Sequence, residues 1–247
     1  AYRDAEPERE RAAEAVRQAA VAAKRREWRQ TSGIPPLFMD KDFSNFDESL
    51  QPGAYKAAWQ YAENFPLGKP WGYGWMVMAS FVKPGERGDS NGLGKTHLAC
   101  SIMHRLLDRW QGEDIRRPAF FITEPDLITS IQATYSLSVE EKSLRESESE
   151  IINRLASEPL LVLDDVGKII RTDRSNPKAL TTPFVQEKLF LLIDLRYRAK
   201  LPMIITTNFA SEDLETYLGT AAMDRIVEMI GGSFKRLKGK SYRRDNP

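Results

Sequence analysis

The 247-residue chain has one cysteine, Cys100, and two histidines, His97 and His104. One thiol cannot close an intramolecular disulfide, and with two imidazoles it cannot build the Cys/His cluster of a structural zinc site. A dominant charge is missing too: 36 Lys and Arg stand against 35 Asp and Glu, for a net charge of +1. No global field draws the chain to nucleic acid, so any such contact must be local. No apolar run reaches the ~20 residues of a membrane span, and no secretory signal pattern opens the sequence. These absences predict a reducing, cytoplasmic setting, no membrane partner, and Cys100 as a packing residue. The chain opens at Ala1 rather than Met, as a fragment of a longer protein would.

What is present centres on Asn91-Gly92-Leu93-Gly94-Lys95-Thr96-His97. Gly92 and Gly94 let the backbone turn tightly and bring N–H groups to an anion. Lys95 supplies a mobile positive charge for the β- and γ-phosphates of ATP, and the Thr96 hydroxyl can ligate Mg²⁺. A helix starting near Lys95 adds its positive end. Trp75–Phe81, apolar and β-prone, is the predicted feeding strand. The pattern G-x-x-x-x-G-K-[ST] departs at its first glycine, where Asp89 stands. An acid aimed at phosphates is unfavourable, so either Asp89 points away or the loop carries an insertion.

Residues 1–30 are alanine-rich, with acids early and Lys24, Arg25, Arg26 and Arg29 late, a polarity that suits a helix dipole. We expect a charged N-terminal helix or linker, the remnant of a partner-binding domain if the chain is a piece of a longer one. The main domain is taken as 31–247. Thr31–Pro36 breaks the helix. Phe38, Phe43 and Phe46 follow in an irregular stretch, either under a nucleotide base or as core anchors. Helices are expected over 53–65, from 95 to about 110, from 124, and over 139–157, 184–199, 211–217 and 220–230. Pro118–Thr123 is of strand length.

Pro159-Leu160-Leu161-Val162-Leu163-Asp164-Asp165 carries the second strong signal. Four consecutive apolar residues suit a central parallel strand buried on both faces. Its acids fall at the sheet edge where α/β folds bind ligands. Asp164 is assigned to Mg²⁺ and Asp165 to the attacking water. Leu201–Asn208 is a further buried strand, ending in Asn208, which can bond a γ-phosphate or the water. The tail from Phe234 to Arg244 is basic, fit to touch phosphate or to act as a charged edge strand.

The order of elements is that of a doubly wound parallel sheet with helices on both faces. From about residue 31 onward the chain resembles the AAA+ ATPases of the bacterial helicase-loader group, DnaC- and DnaI-like, and their IstB-like transposition-helper relatives. The resemblance rests on Ser32-Gly33-Ile34-Pro35-Pro36, Gly92–Ala99, Leu161–Lys168, Val185-Gln186-Glu187-Lys188-Leu189, Arg196-Tyr197-Arg198 and Leu201–Asn208. It implies a P-loop AAA+ core preceded by an N-terminal helix. It also implies roles: Lys95 and Thr96 as Walker A residues, Asp164 and Asp165 as Walker B, Asn208 as sensor 1. Arg225 would be the arginine finger acting on ATP in a neighbouring subunit, and Arg243 would reach the γ-phosphate. A trans-acting arginine implies head-to-tail self-association in the ATP state. The leading expectation is an ATP-dependent loader of the replicative helicase onto single-stranded DNA, with Tyr135, Lys168 and Arg171 as DNA contacts. The short Asp165 side chain predicts slow, DNA-stimulated hydrolysis. The alternatives are a transposition helper, or a DNA-bound ATP switch with little hydrolysis.

Overall fold

A computed structural model describes residues 5–136, 144–169 and 180–242. Its centre is a parallel sheet of β1 (Met76–Ala79), β2 (Phe120–Thr123), β3 (Leu161–Val166), β4 (Met203–Thr207) and β5 (Phe234–Arg236), in the order β2-β3-β4-β1-β5. The helices are α1 (Ala5–Thr31), α2 (Pro52–Asn64), α3 (Lys95–Arg109), α4 (Glu124–Ala133), α5 (Glu148–Ser157), α6 (Pro183–Arg198), α7 (Ser211–Leu218) and α8 (Thr220–Ile230).

Alternation along the inner strands divides the core in two. Val77, Leu161, Leu163, Met203 and Ile205 face one layer, packed with α4 to α8. Met76, Met78, Val162 and Ile204 face the other, with α2, α3, Cys100 and Phe43. Strand residues apolar on both faces are what a sheet covered on both sides requires.

The end of α1 packs Trp28 on Trp110, ring centroids 4.6 Å apart, and Arg29 pairs with Asp108 at 2.7 Å. Residues 9–20 of that helix are exposed throughout. Beyond it, the Phe121 N–H donates to Ser32 O at 2.7 Å, which seats the Ser32–Pro36 segment on the sheet edge. No helix among the described residues is long and apolar enough to cross a membrane.

The helix expected over 139–157 starts later, at Glu148. Ser147 caps it: its hydroxyl accepts the Glu150 N–H, and the Glu150 carboxylate accepts the Ser147 N–H at 2.8 Å. This reciprocal box satisfies the first-turn donors and fixes the start. Leu144, expected on the apolar side, lies before the helix and is exposed; residues 139–143 lie outside the described ones. The basic tail begins as the edge strand β5.

Candidate nucleotide site

The loop between β1 and α3 carries left-handed turns at Gly92 (φ 72°) and Gly94 (φ 91°). A side chain at Gly94 would run into the Phe46 ring, so the loop lies directly against that aromatic. The first turn of α3 has no side-chain cap. Its N–H groups and the dipole therefore serve a cavity of about 480 Å³, bordered by residues 91–97, Phe38, Phe46, Asp165, Lys168 and Tyr242. Phe43 is buried in the core; Phe38 and Phe46 pack against the same cluster and also line this cavity.

Lys95 is nearly buried. Its Nζ donates to Asn208 Oδ1 at 2.7 Å and to the Ser80 hydroxyl. Asn208 Nδ2 in turn donates to Asn91 Oδ1 at 3.0 Å. The end of β4 is thereby tied to the loop and to its lysine. The Thr96 hydroxyl lies 3.1 and 3.0 Å from the two Asp164 oxygens. A hydroxyl and a carboxylate side by side are a donor set for a small hard cation that keeps waters and phosphate oxygens as its other ligands. No group of three or more His, Cys, Asp or Glu side chains among the described residues could hold a metal, so such a cation needs those other ligands.

Asp164 is 3% exposed, and its carboxyl is pushed up to about 6, first by burial and then by the neighbouring Asp165. Thr206 opposes this: its hydroxyl donates to Asp164 Oδ1 at 2.6 Å and accepts the Asp165 N–H at 2.9 Å. The ladder between β3 and β4 shifts register between Leu163 and Val166, and Asp165 takes φ 59°. Asp165 lines the cavity and pairs with Lys168 at 3.7 Å. Gly167, φ 94°, packs under the Phe209 ring. His97 faces the same cavity, with Nε2 2.9 Å from Asp42 O; burial lowers its pKa and favours the neutral ring.

The structure thus brings together Asn91, Gly92, Leu93, Gly94, Lys95, Thr96, His97, Asp164, Asp165 and Asn208. It adds Ser80 and Thr206, polar residues at the ends of apolar strands, whose only sequence signal is that placement. Arg225 stands apart. Its Nε donates to Asp194 Oδ1 at 2.9 Å and its guanidinium lies over the Phe190 and Tyr197 rings. Tyr135 is half-exposed, edge-on to Phe184, with its hydroxyl donated to Glu148. Arg171 and Arg243 lie outside the described residues.

The strand order, with the loop leading off β1 and the acids ending β3, is that of an AAA+-type fold. No protein-family model and no curated protein sequence matches the chain. Solved structures do. The chain is similar to the DnaC helicase loader over 83% of its own length and 100% of that chain, at 22% identity and a TM-score of 0.59. It is similar to DnaI over 84% of its length and 93% of that chain, at 17% identity and 0.58. Similarity also extends to AMPPCP-bound DnaA from Aquifex aeolicus, over 83% of this chain and 51% of that one, at 18% identity and 0.55. These likenesses establish the fold.

Proposed function

We propose that the chain is an ATP-dependent loader of the replicative DNA helicase onto single-stranded DNA. The observation that carries this is the coincidence of two things. The fold spans the whole of the DnaC helicase-loader chain, and Lys95, Thr96, Asp164, Asp165 and Asn208 converge on one cavity edge.

The chemistry follows from the side chains. Backbone N–H groups of 92–96 and the Lys95 ammonium receive the phosphates, and Thr96 with Asp164 holds Mg²⁺. Bound there, Mg²⁺ would supply positive charge against the charge that builds on the transferred phosphoryl group. Asp165 orients the water, and Asn208 fixes Lys95. Hydrolysis is slow because the short Asp165 side chain is also engaged by Lys168. DNA phosphate competing for Lys168 frees Asp165, which makes turnover DNA-stimulated. Tyr135 and Arg171 complete the DNA contact. Arg225, away from the cavity of its own subunit, acts on a neighbour's ATP in a head-to-tail assembly, where such an arginine is worth about 10³–10⁵ in rate. Arg243, outside the described residues, keeps the γ-phosphate role that the resemblance implies. The Asp165–Lys168 pair also favours a second reading, an ATP switch with little hydrolysis; an IstB-like transposition helper would use the same engine.

The test is capture of purified replicative helicase by the longest form of the chain, with ATP and with ADP. ATP-sensitive capture supports the loader. Failure of a full-length chain to capture helicase in either state turns the assignment to the transposition helper or the switch. Turnover in the presence of DNA separates those two from each other.

A further inference from the structure

Asp89 stands where the loop pattern has its first glycine. Its carboxylate is turned from the cavity and accepts the Ser241 N–H at 2.8 Å. Its own N–H donates to Gly239 O at 2.9 Å, and the Tyr242 N–H donates to Gly92 O at 2.9 Å. A Cβ at Gly88 would lie 3.0 Å from Gly239 O, so the two segments touch backbone to backbone. The same tail is held from behind. Gln51 donates to Lys238 O at 2.6 Å and accepts its N–H at 3.2 Å, while Leu237 is fully buried and its N–H donates to Ala79 O at 2.8 Å. Upstream, Arg236 pairs with Glu86 in the segment that precedes the loop. Residues 236–242 therefore form a strap laced to the loop, and the strap carries Lys240 and Tyr242 into the cavity wall.

We infer that Asp89 is a positioning residue for the nucleotide: it fastens the strap so that Lys240 meets the phosphates and Tyr242 walls the pocket. This rests on the reading of the cavity as an ATP site. The sign of the effect separates positioning from plain electrostatics. A negative charge near a triphosphate repels it, so electrostatics alone predicts tighter binding when Asp89 is removed. Positioning predicts the reverse for glycine. Asparagine keeps an acceptor for the Ser241 N–H and removes the charge, so it rescues.

The experiment is titration of the full chain with a fluorescent ATP analogue and Mg²⁺, comparing wild type, Asp89→Gly, Asp89→Asn, Lys240→Ala and the Asp89→Gly/Lys240→Ala double variant. Loss of the Ser241 bond to a charged acceptor predicts binding at least about ten-fold weaker in Asp89→Gly. Asp89→Asn binds at least as tightly as wild type. In the Asp89→Gly background, Lys240→Ala costs nothing further, because its partner is already displaced. Amide hydrogen exchange, read without nucleotide, is faster at Ser241 and Tyr242 in Asp89→Gly than in Asp89→Asn. Asp89→Ala replaces the glycine variant should that fold poorly. Equal or tighter binding by Asp89→Gly, or unchanged exchange at Ser241, overturns the inference while the ATP site stands. If wild type binds no better than Lys95→Ala, the ATP site itself falls and the inference with it.

Discussion

Replacing Asp164 by asparagine should make the nucleotide-free protein more stable, although the residue is assigned to the metal. The folded-state carboxyl is pushed from 3.8 up to about 6 by burial and by Asp165. A raised acid binds its proton more tightly in the folded state than in the unfolded one. Stability from this group therefore rises as pH falls through 6 toward 3.8, and is forfeited as pH climbs back. At about 1.4 kcal/mol per tenfold change in proton affinity, the ionised carboxylate costs up to about 3 kcal/mol at pH 8. Asparagine imitates the neutral acid, with one acceptor for Thr206 and one donor for Thr96. It should gain most of that, a rise of roughly 6–12 °C in Tm for a chain of this size. The assay is urea unfolding of both proteins in EDTA from pH 5 to 8. The gain should shrink to about half at pH 5, where the wild-type group is mostly protonated in the folded state. An Asp164→Asn protein no more stable than wild type at pH 8, or a gain independent of pH, would refute the argument. Mg²⁺ with nucleotide should then reverse the order, stabilising wild type and not the variant.

Three further outcomes can be measured with the same protein. Lys95→Ala should lose the stabilisation that saturating Mg²⁺-ATP gives wild type, about 2.7 kcal/mol at a hundred times Kd, read as a missing Tm shift. Gly167→Ala forces a side chain into the Phe209 ring at φ 94°; it should cost about 1–3 kcal/mol and reduce turnover more than nucleotide affinity, because it moves the segment that follows Asp165. Arg196 is fully buried and donates to the carbonyls of Leu155 (2.9 Å), Ala156 (3.2 Å), Glu158 (2.9 Å) and Pro202. Arg196→Ala should cost about 3–5 kcal/mol by leaving those carbonyls unpaired, and denaturant unfolding should find lysine unable to restore them because it lacks the planar fork.

The parts of the site that can be read from the sequence are those whose signal is local. Lys95 and Thr96 follow their glycines within a few residues, and Asp164 ends an apolar run that can only be a central strand. Their partners are not local. Ser80 meets Lys95 across a loop, Thr206 meets Asp164 from the next strand, and Asp89 meets Ser241 across most of the domain. Such pairings depend on the sheet order, which no window of sequence contains. Arg196 is similar: within Arg196-Tyr197-Arg198 it looks like a helix-end surface base, yet it caps the C-terminal end of α5 from inside the core. The start of α5 is a different case. The Ser147-x-x-Glu150 pattern is a start signal in plain view, and the apolar residues upstream, Leu144 among them, blur it into a longer amphipathic run.

The acidic pair is where local reading meets its limit most clearly. In a regular strand successive side chains face opposite sides of the sheet, so Asp164 and Asp165 could not both serve one cavity edge. They do so because the ladder slips between Leu163 and Val166 and Asp165 turns into the left-handed region. Such irregularities re-aim side chains next to functional sites. The same irregularity separates the two chemically. Asp164 stays inside, against Thr206 and Thr96, with its proton affinity raised; Asp165 emerges beside Lys168, partly exposed and open to the cavity. The left-handed turn costs about 1–3 kcal/mol for a residue with a Cβ, and the Thr206 hydroxyl, bonded to both residues at once, holds it in place. Thr206→Val keeps the shape of the strand and removes that bond. It should therefore lower turnover while leaving the Lys95 side of the cavity, and with it nucleotide affinity, within about two-fold; an unchanged rate would mean that the backbone alone fixes Asp165.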